Sequence, residues 1–207
     1  MEHDMSSGKP ARLLFFFMLP ILEGNLFQQF YSMVDTFVVG RYVGVDALAA
    51  VGATGSMTFL ILGFVVGLTA GFSVIISQKF GAKDPSSMRK AVAMSILSAC
   101  FLSIVVSTIA ILTARPLLLM LKTPHNIIDD SLSYLLIIYT GIVATIYYNL
   151  LAAILRALGD SRSPLYFLLI ASALNIAGDL IAVVNLGMGV KGVALATVLS
   201  QTISALL

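Results

Sequence analysis

The chain has 207 residues, of which 59% are hydrophobic and only 11% charged, and its mean hydropathy is +1.01. Soluble domains carry about 25% charged residues, so this much apolar surface excludes a water-soluble fold and demands a polytopic membrane protein. A net charge of +2 without any basic tract excludes nucleic acid as a partner, and a lone cysteine, Cys100, excludes an internal disulfide or a cysteine metal site.

A membrane span needs roughly 20 apolar residues. Six segments qualify: 13–39, 47–77, 91–114, 132–155, 164–186 and 192 to the end, after a tail at 1–12. No strand-type alternation persists in them, which predicts an all-α membrane helix bundle of six transmembrane helices. The opening run, MEHDMSSGKPARLLFFFMLP, has a basic start, yet its apolar stretch continues past Pro20 without a small-residue cleavage pattern. It reads as the first span, uncleaved.

Within that first span, Gln28, Tyr31 and Asp35 recur at spacings of three and four, a polar stripe along one helix face. A carboxylate at that depth costs at least about 2.5 kcal/mol to insert, which makes an ion or proton pathway the first reading of Asp35. Pro20 removes a backbone hydrogen bond inside the same helix and marks a candidate hinge. Glu23, nearer the start, either lines a cavity or reaches to the interface.

In the second span Gly63, Gly67 and Gly71 stand at the spacing that lets helices approach closely, as do small residues at Gly187 and Gly189 before Lys191. The loop GAKDPSSMRK has turn chemistry at Asp84-Pro85. In the fifth span, Asn175 and Asp179 lie four apart on one face, offering hard oxygen ligands to a small cation or a hydrogen-bonded proton site. The sixth span stops at Leu207 inside an apolar helix with no polar flank, the pattern expected of a piece of a longer chain.

Basic residues set the orientation. With the N-terminus cytoplasmic, Lys9, Arg12, Lys79, Lys83, Arg89, Lys90, Arg156 and Arg162 lie inside, against Arg41, Arg115, Lys122 and Lys191 outside. The expected location is the plasma (inner) membrane, with the lipid bilayer as surroundings. Catalytic patterns are missing: His3 and His125 form no HExxH, and there is no GxSxG or Walker loop. That argues against an enzyme and against ATP-driven transport, leaving an ion gradient as the energy source.

The string MLPILEGNLFQQFYSMVDTFVVGRYVGVDALAAVG resembles the opening helix and first loop of the MATE (multidrug and toxic compound extrusion) transporters. GFVVGLTAGFSVIISQKFGAKD resembles that family's second helix, and LRALGDSRSPLYFLLIASALNIAGDL with GVKGVALATVLSQ its fifth and sixth. The resemblance implies one lobe, over 13–207, of a twelve-helix, two-lobe antiporter that exports lipophilic, often cationic compounds in exchange for Na+ or H+. It implies a coupling site of Asp35, Asn175, Asp179 and Thr197, with Asp35, Asn175 and Asp179 as metal ligands if the ion is Na+. It further implies a first-helix bend at Pro20, a polar cavity residue at Gln28, no cofactor beyond the coupling ion, and a second lobe from the same full-length chain or from another. Tyr31 joins the cavity from the stripe. The alternatives are a flippase for lipid-linked precursors, disfavoured by the lack of Lys or Arg within the spans, and a non-transporting membrane scaffold.

Overall fold

In hydrocarbon every backbone polar group must be satisfied internally, so the apolar runs fold as helices. The computed structural model describes residues 10–207; Lys9 and most of the expected tail at 1–12 lie outside the described residues. The order is α1 (Pro10–Val38), a π-helical stretch (Val39–Val43), α2 (Val45–Gly81), α3 (Pro85–Met120), α4 (Ile128–Thr140), α5 (Ile142–Ala157), α6 (Ser163–Asp179), a second π-helical stretch (Leu180–Asn185) and α7 (Gly189–Leu206). With α4 and α5, bent by 47° at their junction, counted as one span, the bundle makes six crossings by length and composition.

Two apolar clusters hold the bundle. The larger joins Val65 and Ile76 of α2, Ala99, Ala114 and Leu118 of α3, Leu135 and Tyr139 of α4, and Ile146 and Leu150 of α5. The smaller is a collar of Val38, Val39, Ala47, Val183, Val190 and Val193, binding the ends of α1 and α6 to the starts of α2 and α7. Serine hydroxyls stitch neighbouring helices where lipid offers no other partner. Ser131 donates to the Ala50 carbonyl at 3.0 Å, Ser204 to Phe167 at 2.9 Å and Ser107 to Tyr139 at 2.6 Å.

The fourth span, expected over 132–155, is not one straight helix. It breaks at Gly141, where a Cβ would collide with Val198 Cγ2 on α7 and sit 2.8 Å from its Cγ1. A glycine at closest approach, with the Ser107 hydroxyl engaging the Tyr139 carbonyl beside it, accounts for the kink. The glycine expectations change as well. Gly63, Gly67 and Gly71 meet nothing within 4 Å among the described residues, so they pack no helix of this bundle. Gly187 and Gly189 have φ of 63° and 58°, and serve the left-handed turn into α7 rather than helix packing.

The α2–α3 turn confirms the loop chemistry. Lys83 adopts φ 54° as α2 ends, and Asp84 caps α3 by accepting from the Ser87 N–H at 3.0 Å and the Ser86 hydroxyl at 2.9 Å. Hydrogen bonding from the Ser87 side chain, its backbone N–H and Ser86 holds the Asp84 carboxyl down at about 2, against an ordinary 3.8. A depressed carboxyl stabilises above its unfolded pKa and loses that contribution only as pH falls through about 2. Asp84→Ala is therefore expected to lower the melting temperature by the same amount at pH 5 and pH 8. A deficit that vanishes at either pH would refute the cap.

Candidate functional site

The collar fixes the site's position, because the polar residues lie one turn inside it. Asp35 precedes Val38 on α1, Asp179 precedes Val183 at the end of α6, and Thr197 follows Val193 on α7. Asp179 is fully buried and Asn175 is 2% exposed, while Asp35 is half-buried. The Asp35 and Asp179 carboxyls lie close to one another across the α1–α6 interface.

That pairing is chemically incomplete. Two ionised carboxylates can only accept, and Asp35 Oδ1, both Asp179 carboxyl oxygens and Asn175 Oδ1 are all buried without a protein donor. Thr197 sets this up. Its Oγ1 donates to the Val193 carbonyl at 3.0 Å and accepts from Asn175 Nδ2 at 3.3 Å, which turns the amide oxygen to the unfilled side. Four buried oxygens without donors are satisfied by a shared proton or by a hard cation. Among the described residues no three His, Cys, Asp or Glu side chains cluster, so the donor set is two carboxylates and an amide.

A cavity of about 130 Å³ opens from this group toward the Arg156 end of α5, lined by Gln28, Tyr31, Thr145, Asn149, Asn175 and Thr197 among others. Tyr31 lies beside Gln28 and Gln201, and the Thr145 hydroxyl donates to Gln201 Oε1 at 2.6 Å. A polar chain thus runs from beside Asp35 to the helix that begins at the Gly141 break.

The structure brings together all of Gln28, Tyr31, Asp35, Asn175, Asp179 and Thr197. Pro20 lies apart, within α1, which continues helical through it, and Glu23 is exposed. Thr145 and Asn149 of the cavity wall escape the sequence reading, as do Tyr134 and Gln201. Tyr134 of α4 stands near Tyr31, Asp35 and Asp179, with only its polar tip in an apolar run as a signal. Gln201 lies four residues after Thr197, a spacing that would have placed it on the same face.

Comparison with known proteins follows the same lines. The MatE family profile matches residues 20–181. The probable multidrug resistance protein YoeA of Bacillus subtilis (strain 168) is 33% identical over 201 residues, covering 93% of this chain and 43% of its own length. YpnP, another probable multidrug resistance protein of that organism, is 32% identical over 204 residues, covering 99% of this chain and 46% of its own. A crystal structure of MATE in the bent conformation superposes with a TM-score of 0.90 at 26% identity, over 96% of this chain and 44% of that one. The chain therefore spans less than half the length of the relatives it matches.

Proposed function

The chain belongs to the MatE family, and from that premise we propose that it forms one lobe of a cation-coupled multidrug antiporter, lodged in the plasma (inner) membrane with its N-terminus cytoplasmic. The observation that carries the reading is the group of four buried, donor-less oxygens on Asp35, Asn175 and Asp179. A site of that kind takes up Na+ or H+ and is destabilised when both leave. The related proteins YoeA and YpnP, both named as probable multidrug resistance proteins, support efflux as the activity. A second lobe, from the same full-length polypeptide or another, closes the substrate cavity. The carrier needs no cofactor beyond the coupling ion, and the exported compounds are lipophilic, often cationic drugs.

Coupling requires the ion to bind the alternating states unequally. In this reading ion binding removes the repulsion between Asp35 and Asp179 and lets α1 move against α6, with Pro20 as the point of flexure. The test is ethidium efflux from membrane vesicles carrying the full-length protein, under an imposed Na+ or proton gradient. Efflux should follow one of the two gradients and stop when it is collapsed. Normal insertion with no gradient-dependent efflux would overturn the proposal and favour a scaffold.

A further inference from the structure

Packing leaves the surroundings of α1 undecided. Only 6% of the most apolar window of the Ala11–Val43 span is buried in the bundle, and apart from the α6 contact that carries Asp35, the approach of Tyr31 to Gln201 and the collar at its end, its surface is exposed. The distribution of polarity around it decides what the open surface meets. Asn25, Gln29, Ser32 and Thr36 are spaced four, three and four apart, so they share one face, and all four are exposed. Leu26, Phe30, Met33 and Phe37 occupy another exposed face. Tyr31 and Asp35 take the third, toward the site.

The hydroxyls of the polar face satisfy themselves within the helix. Ser32 donates to the Gln28 carbonyl at 3.0 Å and Thr36 to that of Ser32 at 2.8 Å. The two carboxamides cannot do so. Asn25 and Gln29 flank the middle of the span, and among the described residues neither side chain has a hydrogen-bonding partner. A bare amide in hydrocarbon loses all its hydrogen bonds to water, so this face does not meet lipid. It also carries no charge: Glu23 falls on the far side of the helix from Asn25, and Asp35 is turned to α6.

We propose that Asn25 and Gln29 form a hydrogen-bonding wall of the substrate cavity, and that this wall selects uncharged, planar solutes bearing both a donor and an acceptor. Each carboxamide offers one acceptor oxygen and two N–H donors, and the absence of charge gives a cation nothing to pair with there. The inference rests on the antiporter reading and refines its substrate class, adding neutral heteroaromatics to the cations.

The test has two arms, both in the full-length protein with Cys100→Ala as background. A membrane-impermeant charged maleimide should label Asn25→Cys and Gln29→Cys while leaving Leu26→Cys and Phe30→Cys, at matching depths, unlabelled. Acridone, a neutral planar molecule with one N–H and one carbonyl, should protect both labelled positions. In transport, the Asn25→Leu, Gln29→Leu double variant should raise KM for acridone about tenfold, as expected when a polar pocket loses its hydrogen bonds. KM for ethidium should rise by a clearly smaller factor than KM for acridone. Equal labelling of the two faces overturns the proposal, as does a parallel rise in both KM values. No labelling at 25 and 29 together with a lowered melting temperature would show that the stripe packs against protein instead. Labelling needs no transport, so loss of efflux alone would sink the antiporter reading and leave the aqueous wall standing.

Discussion

Asp35→Asn and Asp179→Asn are each expected to abolish coupled transport while making the protein more stable. In the native chain two buried carboxyls face each other with three of their oxygens, and the Asn175 oxygen, lacking a donor. An asparagine at either position keeps the shape and adds an N–H that can donate to the remaining carboxylate. A hydrogen bond to a charged group is worth about 1.5–3 kcal/mol, so the melting temperature should rise. In the proposed antiporter the same donor would occupy the place of the coupling ion permanently. A site whose occupancy no longer differs between states shifts no equilibrium, however tightly it is filled. Thermal melting of the purified full-length variants and drug efflux from vesicles check the two halves together. Destabilised variants would mean that the acids are structural, and stable variants with intact efflux would mean that coupling lies elsewhere.

The second large effect is expected at Gly141. A Cβ there collides with Val198 of α7, and overpacking of this kind costs about 1–3 kcal/mol. Alanine in a helix gains about 1 kcal/mol over glycine, but Gly141 occupies a break between α4 and α5, so that gain is not fully available. The steric term wins: Gly141→Ala should lower the melting temperature and Gly141→Val should lower it further. Val198→Ala in the same molecule should restore much of the loss, with a coupling energy in the range of about 0.5–3 kcal/mol found for contacting residues. Additive losses would show that the kink, rather than the contact, is what glycine protects.

Much of this was legible in the residues. Charged and amide groups stand out against an apolar background, so insertion cost singles out Asp35 and Asp179 and spacing pairs Asp179 with Asn175; that Asp35 and Thr197 join them was implied by the family resemblance, and the structure brings all four together. Pattern alone fails where the cause is tertiary. Gly141 looks like any glycine until Val198 is seen against it. Gly63, Gly67 and Gly71 have a packing spacing, but no partner helix of this bundle reaches them. Tyr134 belongs beside the acids only because the bend between α4 and α5 sets the course of α4. Gln201 was within reach of the spacing argument, through Thr197.

The two π-helical stretches, Val39–Val43 and Leu180–Asn185, each give a valine to the collar, Val39 and Val183, and touch one another. Their bonds run from Gly44 N–H to the Val39 carbonyl at 3.1 Å and from Leu186 N–H to Ile181 at 3.0 Å, each one residue wider than an α turn. Each stretch therefore behaves like a single-residue insertion in the helical frame. A wheel drawn through the whole first or fifth span puts the acids correctly and rotates everything after the wide turn by about 100°. Arg41 and Asn185 accordingly belong to a different angular register from Asp35 and Asp179, although each shares an apolar span with the acid before it.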